Sequence, residues 1–86
     1  MKSCAAVVRD PLGLHARPAM LLVETASRFE SDIALRRYGD EAGTQADAKR
    51  IFDVLKLDVD EGERIELIAD GPDEDEALAA LAILFS

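Results

Sequence analysis

Apolar residues along the chain change their spacing several times, and each change marks an element. Lys2 to Val8 is short and rich in Ala and Val, and the Asp10-Pro11-Leu12-Gly13 run after it is a turn signal, so the segment reads as a first strand and its exit. From Ala16 the period becomes helical. Ala19, Leu22, Val23 and Ala26 stand at i, i+3, i+4 and i+7, and Pro18 falls in the first turn, where its missing N–H costs little. The spacing predicts a helix ending near Arg28 or Phe29.

Ser31 to Tyr38 alternates, with Ile33 and Leu35 on one face and Asp32, Ala34 and Arg36 on the other, the pattern of a half-buried strand. Gly39 to Gly43 then turns the chain, and Thr44 to Ala46 reads as a short returning strand. Asp47 is the expected N-cap of a short helix carrying Ala48, Ile51, Phe52 and Leu55 and ending by Lys56. After the Asp60-Glu61-Gly62 turn, Glu63 to Ala69 alternates again, with Ile65 and Leu67 opposite Arg64, Glu66 and Ile68. Gly71-Pro72 opens a last helix. Its first turn holds Asp73, Glu74, Asp75 and Glu76 against the positive end of the helix dipole, and Leu78, Leu81, Ala82 and Phe85 supply its apolar stripe. The order β-α-β-β-α-β-α predicts an α+β fold with four strands in one sheet and helices covering one face.

A chain of 86 residues, about half of them apolar, has room for one core and not two, so residues 1–86 are expected to form a single domain. With 5% aromatic residues and no Trp, that core must be built from Leu, Ile, Val and Ala. Eighteen acidic against ten basic residues give a net charge of −8, which argues against nucleic acid or an anionic membrane surface as the main partner. The acidic runs are Asp58 to Glu63 and Asp70 to Glu76. Arg17, Arg28, Arg36, Arg37, Lys49, Arg50 and Lys56 leave room for a local basic face. The lone Cys4 cannot close a disulfide within the chain and sits among small apolar residues, as a buried thiol in a reducing compartment would. No secretory signal pattern opens the chain, and the apolar run Ala77 to Phe85 is far shorter than the roughly 18 residues of a membrane span. A cytoplasmic protein without membrane insertion is the expectation.

The only histidine, His15, stands between the Gly13 turn and the helix that starts at Ala16. A helix start leaves backbone N–H groups unpaired, here those of Ala16 and Arg17, and the dipole adds partial positive charge, so an anion beside His15 is stabilised. An imidazole titrates close to neutrality and its unprotonated nitrogen can attack phosphorus, while Arg17 can neutralise phosphoryl oxygens. Phosphoryl transfer spreads charge over equatorial oxygens, so positioning with an arginine and backbone donors is most of what a protein must supply. Neither a metal-ligand cluster nor a His-carboxylate pair is readable near His15, so the pattern calls for no metal or cofactor and weighs against a hydrolytic or acid-base enzyme.

The run Gly13-Leu14-His15-Ala16-Arg17-Pro18-Ala19 resembles the active-site segment of the histidine-containing phosphocarrier protein family, HPr, of the bacterial sugar phosphotransferase system. Ala46-Asp47-Ala48-Lys49-Arg50-Ile51-Phe52 resembles the family's second-helix region. Asp60-Glu61-Gly62-Glu63 through Gly71 and the acidic helix start resemble its last strand and helix, so nearly the whole chain is covered. The resemblance implies an open-faced sandwich of four antiparallel strands under three helices. It implies a phosphocarrier, not a stand-alone enzyme, that takes phosphate originating in phosphoenolpyruvate from enzyme I onto His15, beside Arg17, and passes it to an enzyme IIA component. It also implies a monomer, because a stable dimer would risk covering the docking face.

If Ala19, Leu22, Val23 and Ala26 face the core, Ala16, Met20 and Leu21 are left on the outer side of the same helix. With Ile51 and Phe52 they form a candidate apolar docking patch ringed by Arg17, Lys49 and Arg50. The alternative is that Met20, Ile51 and Phe52 belong to the core. The chain departs from the family pattern in three places. Arg50 stands where members often carry a regulatory serine, Glu24 where many carry a basic residue, and the Gly39 to Asp47 turn is longer than usual. The change at Glu24 leaves open a nitrogen-branch phosphorelay carrier or a regulatory binding module.

Overall fold

The computed structural model describes residues 1–40 and 42–86; Glu41, inside the expected Gly39 to Gly43 turn, lies outside the described residues. The elements run β1 (Lys2–Val7), α1 (Ala16–Ala26), β2 (Asp32–Arg37), β3 (Ala46–Asp47), α2 (Ile51–Leu57), β4 (Arg64–Asp70) and α3 (Glu74–Leu84). The four strands form one antiparallel sheet in the order β1-β4-β2-β3, with β4 central between β1 and β2. Three helices on one face of this sheet complete an open-faced sandwich.

Period-2 alternation decides which face is covered. Leu67 sits opposite Cys4 on one side and Leu35 on the other, and Ile65 opposite Ala6 and Arg37. Ile33, Leu35, Ile65, Leu67 and Ala69 are buried under the helices, while Arg36 and Glu66 pair on the open face with Nη2 and Oε1 2.7 Å apart. The helices meet that surface with Ala19, Leu22 and Ala26 from α1, Val54 and Leu57 from α2, and Ala77, Leu78 and Leu81 from α3. Small residues on α1 and α3 let the backbones approach, and α1 packs against both other helices. Cys4 is half-buried in β1, and that burial pushes its thiol pKa up, which disfavours the reactive thiolate.

Several boundaries differ from the sequence reading. α1 ends at Ala26, before Arg28, where the N–H groups of Arg28 and Phe29 turn back onto the carbonyls of Thr25 and Ala26. Thr25 is buried on its inner face while Val23 is only half-buried. The short strand is Ala46–Asp47 rather than Thr44 to Ala46. Asp47 does not cap α2, because its carboxylate accepts from the Lys49 N–H at 2.9 Å in a local turn. That turn carries the buried Ala48, and α2 begins after Arg50, its N-cap. In α3 the stripe is Ala77, Leu78 and Leu81, with Ala82 exposed and Phe85 packed against the core just past the helix end.

Asp73 stands at the head of α3 but sends its carboxylate across the molecule. Its Oδ1 accepts from Ser31 Oγ at 2.5 Å and Ser31 N–H at 3.0 Å, and its Oδ2 from the Glu30 N–H at 3.0 Å. The Ser31 hydroxyl first, and then these amides, hold the Asp73 carboxyl below the usual carboxylate range. Meanwhile Glu74 reaches back to accept from the Gly71 N–H at 3.1 Å, ahead of the helix start. The loop between α1 and β2 is thereby anchored to the start of α3.

Candidate functional site

Gly13 starts the site. Its φ of +71° is the left-handed conformation, and a Cβ built there would stand 2.6 Å from the Val59 carbonyl oxygen. Only glycine meets both conditions without strain. The close approach lets the Leu14 N–H donate to that same Val59 oxygen at 2.8 Å, and the buried Leu14 side chain locks the turn into the core. The next residue, His15, is extended (φ −129°, ψ 169°) and forms the N-cap of α1 without capping it through its side chain. Ala16 then adopts φ +49°, a conformation costing an alanine roughly 1 kcal/mol or more, at the first residue of α1. Ala19 is the first residue of α1 to close a turn, onto the His15 carbonyl, so the N–H groups of Ala16 and Arg17 precede the hydrogen-bonded ladder and Pro18 has none to offer.

The His15 ring is about one-third exposed, and its Nε2 lies 3.1 Å from Oδ1 of Asp58. Sequence reading missed this carboxylate. Asp58 caps the C-terminus of α2 in the left-handed region (φ 53°, ψ 52°), which Asp tolerates better than most residues. Its carbonyl accepts from Arg37 Nη2 at 2.8 Å, and Glu63 braces the same loop by accepting from the Asp60 N–H at 2.6 Å and Arg37 Nε at 3.0 Å. The Asp60 amide first, and then Arg37, hold the Glu63 carboxyl below its ordinary range. The loop that delivers Asp58 is therefore braced by Arg37 and Glu63.

Asp60 approaches as well. One ligand atom from each of His15, Asp58 and Asp60 lies within 4.8 Å of the others, so a histidine-carboxylate pair and a grouping able to hold a cation both exist where the sequence showed neither. A cation there would need an unprotonated ring nitrogen on His15.

Arg17 is exposed in the first turn of α1 and has no ion-pair partner among the described residues. It lines a cavity of about 460 Å³ with Leu12, Pro18, Leu21, Leu84 and Phe85, of which Leu12 and Leu84 carried no signal in the sequence. Met20, Leu21 and Phe52 are exposed, Phe52 most of all at 74%, so none of the three belongs to the core. Ile51 differs, being half-buried and packed against the core. Lys49 is also engaged, its Nζ donating to the Phe29 carbonyl at 2.7 Å, whereas Arg50 is exposed.

The sandwich thus brings its one histidine, an arginine without an ion-pair partner among the described residues, and the Ala16 and Arg17 amides together at the head of α1. Residues 2–86 match the family model for the PTS HPr component phosphorylation site. The chain is 41% identical to phosphocarrier protein HPr of Mycoplasma genitalium, covering 94% of this chain and 89% of that protein. It is 43% identical to phosphocarrier protein NPr of Escherichia coli K12, covering 92% and 84%. HPr from Thermoanaerobacter tengcongensis superposes with a TM-score of 0.90 at 39% identity, covering 99% of this chain and 91% of that one. Crh from Bacillus subtilis, crystallised as a domain-swapped dimer, superposes with a TM-score of 0.75 at 44% identity over 91% and 85%. The chain belongs to the HPr family. It is a phosphocarrier of the phosphotransferase system, working through transient contacts with that system's proteins rather than as a stand-alone enzyme. Among the described residues no helix is long and apolar enough to cross a membrane.

Proposed function

We propose that residues 1–86 act as one carrier domain in which His15 accepts a phosphoryl group from enzyme I and surrenders it to an enzyme IIA component. The observation that carries this is the inequality of the two ring nitrogens. Nε2 faces the Asp58 carboxylate, which leaves Nδ1 as the nitrogen with a lone pair to share. A phosphoryl group on His15 at the head of α1 meets the Ala16 and Arg17 amides, the positive end of the helix dipole, and the unpaired Arg17 guanidinium. Positioned donors of this kind are what a loose transition state requires.

The exposed Met20, Leu21 and Phe52 form the apolar centre of the docking face, with Arg17 and Arg50 at its edge and Lys49 and Ile51 as supports beneath it. A cytoplasmic monomer fits a carrier that must present this face to successive partners; light scattering at working concentration tests that state against the swapped dimer of Crh. Incubation with enzyme I and phosphoenolpyruvate, followed by intact mass at alkaline pH, tests the acceptor. The wild type gains one phosphoryl mass, and His15→Ala gains none while melting as the wild type does. A phosphorylated His15→Ala protein would overturn the assignment.

A further inference from the structure

A phosphocarrier histidine must offer one ring nitrogen, and here a carboxylate stands beside the other. Asp58 Oδ1 sits 3.1 Å from His15 Nε2, and a carboxylate can only accept, so this contact favours the neutral tautomer with its proton on Nε2. The backbone that carries Asp58 is held in place. Arg37 Nη2 grips the Asp58 carbonyl at 2.8 Å, and the adjacent Val59 carbonyl takes the Leu14 N–H at 2.8 Å, tying the loop of Asp58 directly to the loop of His15.

We infer that Asp58 is a positioning residue for phosphoryl transfer, holding the neutral His15 ring with its proton on Nε2 and its lone pair on Nδ1, and balancing the positive charge the ring gains when it is phosphorylated. This rests on His15 being the acceptor. In the accepting step the Nδ1 lone pair forms a bond to phosphorus as the donor's bond to phosphorus breaks and the donor keeps that electron pair. The ring, now substituted on Nδ1 and still protonated on Nε2, carries a positive charge directly facing Asp58. In the onward step the Nδ1–phosphorus bond breaks, its electron pair returns to Nδ1 and the charge disappears. Nε2 keeps its proton throughout, so Asp58 moves no proton and acts through orientation and charge, as the carboxylate behind a catalytic imidazole does. The phosphoryl group is on the far side of the ring, which limits its repulsion by Asp58.

The test uses three variants in buffer containing EDTA, so that no cation enters the His15, Asp58 and Asp60 grouping. Asp58→Gly removes the carboxylate while easing the left-handed backbone, Asp58→Asn keeps an acceptor without the charge, and His15→Ala reports on the acceptor itself. Long-range 1H–15N spectra of the unphosphorylated protein are expected to show the Nε2–H tautomer dominant in wild type and Asp58→Asn, and a mixture with Nδ1–H in Asp58→Gly. The phosphoryl-acceptance rate is expected to fall by about fivefold in Asp58→Gly, with Asp58→Asn between it and wild type. An Asp58→Gly protein with wild-type tautomer populations and rate would overturn the role of Asp58 alone. Phosphorylation of His15→Ala would instead overturn the acceptor on which it rests.

Discussion

Gly13 approaches Val59 so closely that the carbonyl oxygen of Val59 occupies the space a Cβ on Gly13 would need, at 2.6 Å. That contact joins the two loops of the site. Gly13→Ala meets a backbone atom that cannot swing aside and a φ of +71° that alanine resists. The substitution is expected to cost about 1–3 kcal/mol in urea unfolding and to weaken the Leu14 to Val59 hydrogen bond, seen as faster exchange of the Leu14 amide.

The bracing of the Asp58 to Glu63 loop is testable apart from the chemistry. Glu63→Gln keeps the side chain's shape but removes the charge that Arg37 and the Asp60 amide both address. Exchange of the Asp60 amide is expected to accelerate by about threefold to tenfold, while the stability of the whole protein changes by less than about 1 kcal/mol because the pair is partly exposed. An unchanged Asp60 amide would show that the loop is held by other contacts.

Asp73 gives the fold an acid-sensitive latch. Its carboxyl pKa is lower in the folded protein than in the unfolded chain, so the unfolded state binds the proton more readily. The latch therefore contributes fully above the ordinary aspartate range and is lost as pH falls below about 4. Thermal melts from pH 7 to pH 2.5 are expected to show an acid loss of stability that is smaller in Asp73→Asn, which is already less stable at neutral pH. Identical pH dependence in the two proteins would remove Asp73 from the account.

The proposed docking face allows binding to be tested apart from folding. Phe52 is 74% exposed and touches little of the core, so Phe52→Ala is expected to leave the melting temperature within about 2 °C of wild type. The same change is expected to raise the apparent KM for phosphorylation by enzyme I about fivefold or more, with kcat nearly unchanged. Leu22→Ala, fully buried on α1, is the converse: a loss of about 2–5 kcal/mol in stability.

Much of this architecture is written locally. Ile33 and Leu35 against Ile65 and Leu67 show period-2 strands whose buried faces coincide across β2 and β4, and Ala19, Leu22 and Ala26 mark the inner face of α1. His15 at a helix head needed only the neighbouring residues to stand out. Competition between local motifs was less legible: Asp47 has the chemistry of a helix cap, but it forms a turn with Lys49 instead, and α2 starts later. Asp58 was not legible at all, because its meeting with His15 depends on the left-handed end of α2 and the Gly13 to Val59 contact between distant segments. Nothing within a few residues of either side chain encodes that distance.

The central claim is that phosphate travels on Nδ1 of His15. A long-range 1H–15N spectrum of the protein phosphorylated by enzyme I and phosphoenolpyruvate, with 31P coupling, reads the bonded nitrogen directly. Phosphorus on Nδ1 of His15 with a retained proton on Nε2 is the expected result; phosphorus on Nε2, or on any other residue, would contradict it.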